Sequence, residues 1–308
     1  MPAHACRNSP RHLHDSNNAT HVYLAHFGLK EFPFGLTPDT EYFFPGSGTQ
    51  AALNTLLVAL DSGEGLIKIV GEVGSGKTML CRYLLNHLEK QGWAAAYVPN
   101  PHLSPAALNQ ALLAELGEVG EVGGSIVKRS VAYGLTKALE IRLLELAQAG
   151  RPAVALIDEA QAMPLESLEA LRLITNLETE KRKLLQIVLF GQPELDARLA
   201  DPSVRQIRSR IVFHEQITPL TLTETPVYLM HRVKQAGAAG PLFSTAAALK
   251  LHQRSQGMPR LLNILAHKTL LLAFGEGLAQ AQPRHVHLAA RDTPGSSRPW
   301  WHFQPRSA

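Results

Sequence analysis

Eight consecutive residues decide the fold of this chain: Gly71-Glu72-Val73-Gly74-Ser75-Gly76-Lys77-Thr78. They read G-x-x-x-x-G-K-T and lie between an apolar run at 66–70 and a segment with helical periodicity at 79–88. A strand, a glycine-rich loop and a helix in this order form a phosphate-binding loop, because backbone N–H groups and the helix N-terminus then point at phosphate oxygens. Lys77 is expected to reach the β- and γ-phosphates, and the Thr78 hydroxyl to coordinate Mg²⁺. Met79 completes the predicted nucleotide-binding set.

The composition of the chain is that of an ordinary globular protein. Its 308 residues, 45% of them hydrophobic and 18% charged, allow one large domain or a main domain with a smaller one. A formal net charge of +4 and a pI near 9.1 predict neither nucleic-acid binding nor membrane binding by themselves. No run of 18 apolar residues occurs, so no membrane span is predicted.

The two cysteines, Cys6 and Cys81, match no metal-binding or disulfide spacing. Cys81 falls on the helix predicted after the phosphate loop, where a small buried side chain is the simplest interpretation. Cysteine usage therefore favours a reducing, cytosolic compartment.

The first 22 residues are polar and are predicted to be a disordered leader, with order beginning near Tyr23. They contain no apolar segment of the kind found in signal peptides. A metal-binding tract is the alternative, although the spacing of its histidines is irregular. These histidines are His4, His12, His14, His21 and His26.

Apolar runs that alternate with helical segments predict an α/β fold. Fully apolar strands separated by helices are typical of a parallel sheet covered on both faces. Five strands are expected, at 66–70, 94–98, 153–157, 185–190 and 211–217. The helices of this part are expected at 49–60, 79–88, 105–116, 126–148 and from Pro164 onward, the third of them capped by Ser104.

From Leu222 onward the strand signal ends and helical segments follow one another. They are expected at 222–236, 244–256, 259–274 and 284–292. The sequence therefore predicts three regions after the leader. They are an α/β domain over 23–219, a small all-α domain over 220–292, and a disordered tail over 293–308.

Four further stretches each allow two interpretations. The aromatic segments 27–35 and 42–45 could line the adenine end of a nucleotide pocket or could serve as N-terminal packing. The charged run 178–183 is read as a solvated face, with DNA contact as the alternative. The pair Trp300-Trp301 belongs to the predicted disordered tail but could serve as a docking handle.

Two adjacent carboxylates, Asp158 and Glu159, follow the third predicted strand. Ligands of open α/β sheets bind beyond the carboxyl ends of the strands, so these residues are expected beside the phosphate loop. Asp158 would hold Mg²⁺ through its coordination shell, and Glu159 would orient and deprotonate the attacking water. The alternative is that the two acids cap the next helix.

Several residues farther along the chain could complete a hydrolytic site. Gln192 follows the fourth strand and could sense the γ-phosphate or position the water. Arg208 and Arg210 precede the fifth strand and could act on the nucleotide of a neighbouring subunit, or could be ordinary surface arginines. Arg260, at the start of a helix in the all-α domain, could reach back to the phosphates.

The order of these motifs resembles that of AAA+ ATPases, which combine an ASCE-type P-loop domain with an all-α lid. Three stretches, 26–34, 157–161 and 190–195, resemble the secretion ATPases of the ExeA/GspA type. Two more, 67–74 and 171–183, are similar to ATPases associated with assembly of the mannose-sensitive haemagglutinin (MSHA) type IV pilus. The resemblance covers residues 23–292.

This resemblance implies an enzyme that binds ATP with Mg²⁺ and hydrolyses the ATP. By this resemblance Gln192 corresponds to sensor 1 and Arg260 to sensor 2. Arg210 is the preferred candidate for the arginine that acts on a neighbouring subunit, and Arg208 is the second candidate. The resemblance further implies a homo-oligomer, such as a nucleotide-dependent ring. Its partners would be pilus or secretion assembly proteins of the inner membrane.

The resemblance also bears on where the protein works. Secretion relatives often continue into a membrane span and a peptidoglycan-binding domain, whereas this sequence stops at Ala308. A cytoplasmic protein held at the inner membrane by its partners is therefore expected. The first twenty residues have no recognisable family counterpart, so the true start could lie later.

Two other functions stay open from the sequence. A DNA-processing ATPase of the transposition or replication-initiation type shares the same motif order, although no recognisable DNA-binding helix pair follows the lid. A nucleotide-dependent scaffold without useful turnover is the third interpretation. A GTPase is disfavoured, because the sequence contains no Asn-Lys-x-Asp motif for guanine.

Overall fold

The structure, a computed structural model, describes residues 15–117, 131–178 and 183–296. The chain forms two compact units. One unit comprises Pro38–Leu220, and the other combines the chain up to Thr37 with the chain from Thr221 onward. We call them the α/β unit and the helical unit.

The α/β unit is built on a parallel five-stranded sheet with the order β2-β3-β4-β1-β5. Its strands are β1 (Leu66–Gly71), β2 (Ala94–Val98), β3 (Ala153–Ile157), β4 (Gln186–Gly191) and β5 (Ile211–Ile217). Every residue of β1, β3 and β4 is buried, which confirms the strands predicted from unbroken apolar runs.

Helices cover both faces of this sheet. They are α2 (Ser47–Asp61), α3 (Lys77–Lys90), α4 (Pro105–Leu116), α5 (Val131–Gln148), α6 (Leu165–Ile174), α7 (Glu194–Leu199) and α8 (Arg205–Arg208). Because successive strand residues face opposite sides, Ile157 packs against the core of α4, α5 and α6, whereas Leu156 packs against that of α2 and α3. The predicted cap of α4 is confirmed, since Ser104 Oγ accepts a hydrogen bond from the backbone N–H of Ala107 at 3.4 Å.

The two shortest helices were not predicted. Helix α7 begins two residues after Gln192, and α8 lies in the stretch just before β5 that contains Arg208. Helices of four to six residues carry too little periodicity to stand out from the sequence. Their apolar residues, Leu195, Leu199 and Ile207, are buried in the core that also contains α4, α5 and α6.

The helical unit contains five helices among the described residues: α1 (Asp15–Phe27), α9 (Glu224–Gln235), α10 (Thr245–Ser255), α11 (Pro259–Gly275) and α12 (Pro283–Arg291). The last four are the predicted helices, with ends that differ by at most three residues. None of the helices in the described parts of the chain is long and apolar enough to cross a membrane.

The N-terminal segment differs from its prediction. A helix, α1, begins at Asp15 within the expected disordered leader, and residues up to Thr37 belong to the helical unit, not to the α/β unit. The cause is aromatic packing, since Tyr23 is buried and its ring lies 5.6 Å from that of Phe274. The buried Arg232 adds hydrogen bonds from its guanidinium to the carbonyls of Pro33 (2.5 Å) and Gly35 (3.3 Å).

This arrangement favours packing as the role of segment 27–35. Phe34 is buried with its ring 5.7 Å from that of Phe243 in the same unit. The second aromatic stretch lies in the α/β unit along α3, where Phe43 stacks on Tyr83 at 4.0 Å.

The ordered chain also extends past the predicted start of the tail. Thr293 and Ser296 are buried, and their hydroxyls donate to the carbonyls of Ala289 (2.7 Å) and Ala290 (2.6 Å). Other predictions fall outside the described residues: most of the 178–183 run, the first residues of the 126–148 helix, and the Trp300-Trp301 pair.

Candidate nucleotide-binding site

The phosphate loop lies between β1 and α3 and depends on its glycines. Gly74 and Gly76 have φ of 82° and 101°, a left-handed backbone that residues with a Cβ rarely adopt. Gly71 is required for space, because a Cβ there would lie 2.6 Å from Ser75 Oγ and 3.3 Å from the Cβ of Ile217. The loop can therefore turn tightly between the carboxyl end of β1 and the start of α3.

Lys77 lies inside this loop and is 5% exposed. Its Nζ donates hydrogen bonds to the loop carbonyls of Gly71 (2.8 Å) and Glu72 (3.0 Å). Burial lowers its pKa below the ordinary lysine value, and the nearby carboxylates, of which Glu159 acts most strongly, oppose that shift.

The loop also offers a polar group that fits a phosphate. Ser75 is 3% exposed, and its Oγ has no hydrogen-bond partner among the described residues. A buried hydroxyl without a partner costs free energy unless a ligand supplies one. Together with the ammonium of Lys77 and the N-terminus of α3, it forms a cradle suited to phosphate oxygens.

Thr78 and Asp158 are brought together although they are 80 residues apart. Thr78 Oγ1 donates to Asp158 Oδ2 at 2.7 Å, and Asp158 Oδ1 accepts from the backbone N–H of Glu159 at 2.9 Å. Asp158 is 2% exposed, and burial raises its pKa above the ordinary value although both hydrogen bonds act against that shift. A hydroxyl and a carboxylate at hydrogen-bond distance are the oxygen ligands that Mg²⁺ uses beside nucleotide phosphates.

Glu159 lies beside this pair and has an unusual backbone, with φ at 53°. Its Oε2 accepts hydrogen bonds from the side-chain amides of Gln192 (2.9 Å) and Gln161. Burial raises the pKa of Glu159, but these two bonds and the charge of Lys77 outweigh burial, so the pKa lies below the ordinary value. A carboxylate held in its ionised form can accept a proton from water.

Gln192 reaches Glu159 because of the strand order. β4, which ends at Gly191, lies between β1 and β3, so Gln192 lies between the phosphate loop and the Asp158-Glu159 tip. Gln161 was not singled out as a site residue from the sequence. The available signal was its place in the quoted 157–161 stretch, two residues after Glu159.

The other predicted residues lie elsewhere. Arg208 and Arg210 precede β5, whose first residue pairs with Leu66, the first residue of β1. They therefore lie at the amino edge of the sheet, roughly 20 Å from the phosphate loop at the carboxyl edge. Arg210 donates to Thr175 Oγ1 at 3.3 Å, while the side chain of Arg208 is exposed and has no hydrogen bond or ion pair with any described residue.

Arg260 belongs to the helical unit, where it is exposed in the first turn of α11. Of the remaining loop residues, Val73 is exposed and Met79 is half-buried in the first turn of α3. The predicted site residues that the structure places in mutual contact are thus the loop, Asp158, Glu159 and Gln192.

Comparison with known proteins agrees with this geometry. Residues 60–199, which span the phosphate loop, Asp158-Glu159 and Gln192, match the AAA domain family. This part of the chain is thus similar to AAA domains. A curated relative, the General secretion pathway protein A of Aeromonas hydrophila, is 35% identical over 274 residues. That match covers 89% of this chain and 49% of the relative, so the chain spans about half the length of the relative.

Solved structures show the same AAA fold at low sequence identity. The Aeropyrum pernix ORC2 protein aligns with a TM-score of 0.63 at 17% identity, over 91% of this chain and 76% of its own. Cdc6p from Pyrobaculum aerophilum aligns with a TM-score of 0.62 at 19% identity, over 84% of this chain and 70% of its own. The Thermotoga maritima RuvB Holliday junction branch migration motor aligns with a TM-score of 0.53 at 17% identity, over 79% of this chain and 68% of its own. The P-loop fold predicted from the sequence is confirmed.

Proposed function

We propose that the AAA domain of this chain binds ATP with Mg²⁺ and hydrolyses the ATP to ADP and phosphate. The observation that carries the proposal is that Thr78, Asp158 and Glu159 lie together beyond the carboxyl ends of the strands. Thr78 Oγ1 lies 2.7 Å from Asp158 Oδ2. Metal ligands and a general base are thereby adjacent to a phosphate cradle.

The residues divide the chemistry among them. The loop N–H groups, Ser75 and Lys77 bind the phosphates, and Lys77 exchanges its bonds to the Gly71 and Glu72 carbonyls for bonds to phosphate oxygens. Thr78 and Asp158 would hold Mg²⁺, which when bound neutralises charge on the β- and γ-phosphates. Glu159 accepts a proton from the attacking water, and Gln192 orients that water or contacts the γ-phosphate.

The three arginines complete the proposed site. Arg260, sensor 2 by the resemblance of the sequence, is proposed as a further residue that contacts the phosphates. Arg210, with Arg208 as the second candidate, would contact the nucleotide of a neighbouring subunit. The separation of roughly 20 Å within one chain supports this assignment, because neither residue can reach the loop of its own sheet. A homo-oligomer such as a ring follows from it.

The proposed cellular role is assembly of a secretion apparatus, and more narrowly of an MSHA-type type IV pilus. The likeness to General secretion pathway protein A over 89% of the chain supports the broader role. The sequence resemblance of 67–74 and 171–183 supports the narrower one. We propose a cytoplasmic protein that associates peripherally with the inner membrane through assembly proteins.

The decisive test compares the wild type with Glu159→Gln and with a matched control, Glu166→Gln, an exposed glutamate on α6. Glu159→Gln should lower steady-state ATP turnover about 100- to 1,000-fold, because it removes the general base. The Kd of Glu159→Gln for ATP should stay within about threefold of the wild-type value, and Glu166→Gln should behave as the wild type. Brisk hydrolysis by folded Glu159→Gln protein would refute the assignment of the base.

The alternative is a DNA-processing ATPase, and the basic composition of the chain is compatible with it. This alternative is tested by measuring turnover with duplex DNA at rising salt. Strong stimulation that falls steeply with salt would favour DNA processing, since phosphate contacts release counterions. Turnover that does not respond to DNA supports the assembly role.

The subunit contact has its own test. The size of the wild type, Arg210→Ala and Arg208→Ala is measured with and without ATP, together with turnover, and Arg205→Ala on α8 is the control. Arg210→Ala should lower turnover about 10- to 1,000-fold while ATP binding persists. A nucleotide-dependent ring whose turnover is insensitive to both Arg210 and Arg208 would contradict the trans assignment.

A further inference from the structure

One side chain connects the two residues proposed to act on water. Gln161 follows β3 in a short turn (Ala160–Ala162), and both ends of its amide are used. Oε1 accepts a hydrogen bond from the backbone N–H of Gln192 at 3.0 Å, and Nε2 donates to Oε2 of Glu159. Gln161 thus ties the end of β4 to the carboxylate that follows β3.

We propose that Gln161 is a positioning residue, whose amide holds Glu159 and Gln192 in one fixed arrangement so that both act on the same water. This inference rests on the proposed ATP hydrolysis. It gives a role to a residue whose side chain forms no hydrogen bond with the described residues of the nucleotide cradle or with the proposed metal ligands.

The two oxygens of Glu159 are treated differently, which supports this role. Oε2 accepts from both Gln161 and Gln192, whereas no described residue donates a hydrogen bond to Oε1. One oxygen is therefore fixed in direction, and the other keeps its lone pairs for a proton from water. Correct placement matters, because a shift of about 1 Å can cost about 100-fold in rate.

Gly191, which ends β4, lies beside Gln161. A Cβ at this position would lie 2.6 Å from Leu195 Cδ2, so the glycine lets α7 start close to the strand. The same Cβ would lie 3.4 Å from Gln161 Oε1, an ordinary contact distance. Glutamine is also required chemically, since its side chain supplies an acceptor for Gln192 and a donor for Glu159 at once.

The test uses two variants that keep the length of the side chain. Gln161→Met removes both hydrogen bonds, and Gln161→Glu keeps the acceptor but loses the donor. Gln91→Met, an exposed glutamine at the end of α3, is the control. Gln161→Met should lower kcat about 10- to 100-fold with KM and Kd for ATP within about threefold, and Gln161→Glu should lower kcat at least as much. In Glu159→Gln protein, Gln161→Met should cause no further loss, because the carboxylate that it positions is already absent.

A second measurement does not depend on turnover. Hydrogen exchange measured by ¹⁵N NMR follows the backbone N–H of Gln192, which donates to Gln161 Oε1 at 3.0 Å, in wild type and Gln161→Met. This N–H should exchange faster in Gln161→Met, because its acceptor is lost.

The outcomes separate the two proposals. An unchanged kcat, an unchanged exchange rate of the Gln192 N–H, or an equal additional loss in Glu159→Gln protein would each overturn the role of Gln161. If wild type and Glu159→Gln hydrolyse ATP equally, the proposed function fails instead, and the exchange rate alone still decides whether Gln161 holds Gln192 in place.

Discussion

Removing Asp196 should destabilise the α/β unit more than removing the charge of Lys68, although the two residues form a single ion pair. Lys68 lies in the middle of β1, three residues before the phosphate loop, and Asp196 lies on α7. The pair therefore ties the strand that leads into the loop to the helix that follows Gln192. Its two ends differ in exposure, with 11% of the Lys68 side chain and 48% of the Asp196 side chain accessible to water.

This difference sets the expected magnitudes. In Asp196→Ala the ammonium stays buried, because β1 holds Lys68 in register between Leu189 of β4 and His214 of β5. Losing the partner of a buried charged donor costs about 1–3 kcal/mol, and we expect about 2 kcal/mol because water reaches the outer end. In Lys68→Met the half-exposed carboxylate is simply hydrated, the apolar stem is kept, and the expected cost is below about 1 kcal/mol.

Urea unfolding of the wild type, the two single variants and the double variant measures these differences in stability. With a slope of about 2 kcal/mol/M, Asp196→Ala should lower the midpoint by about 1 M, and Lys68→Met by less than about half of that. The double variant should have a urea midpoint close to that of Lys68→Met, since the ammonium that Asp196→Ala leaves without its partner is then absent. If Lys68→Met lowers the midpoint as much as Asp196→Ala does, the desolvated ammonium is not the source of the cost and the reasoning fails.

Two further predictions concern the loop and the N-terminal segment. Gly71→Ala should weaken ATP binding at least about tenfold in a binding titration, because its Cβ would lie 2.6 Å from Ser75 Oγ. Gly35→Ala is the control and should bind ATP as the wild type does, because no atom lies within 4 Å of its Cβ. Arg232→Met should destabilise the helical unit by about 3 kcal/mol, because the carbonyls of Pro33 and Gly35 lose their donor. Faster limited proteolysis within 28–37, and no such change in the exposed-site control Arg291→Met, would support the second prediction, and equal rates in both variants would contradict it.

The strands and most helices could be predicted because their signals are local. An unbroken apolar run such as 153–157 can be buried on both faces only in a covered parallel sheet. Likewise, Ser104 followed by Pro105 is an N-terminal helix signal that needs no tertiary contact. The contact between Thr78 and Asp158 was also foreseeable, because parallel strands bring their carboxyl ends to one edge.

The N-terminal segment could not be predicted because its partners are distant in sequence. Arg232 lies 199 residues from Pro33, and no local pattern announces that its guanidinium is the donor for that carbonyl. Gln161 is a similar case, since its amide gains a second partner only through the placement of β4 beside β3. Single side chains that bridge elements depend on the assembled fold, whereas strands and helices depend on their own residues.

The backbone of Glu159 shows what the site costs the fold. A left-handed residue with a Cβ is disfavoured by about 1–2 kcal/mol, and glycine would adopt φ of 53° without that cost. The hydrogen bonds that Gln161 and Gln192 donate to its ionised carboxylate, each contributing about 1.5–3 kcal/mol, are sufficient to offset the strain. Side chains alternate along an extended strand, so a continued strand would point Glu159 to the face opposite Asp158. The turn at Glu159 instead accompanies the observed contacts, in which Asp158 bonds to Thr78 and Glu159 to Gln192. A strained glutamate stabilised by its own carboxylate contacts is the local departure expected at a functional residue, and it supports Glu159 as the general base.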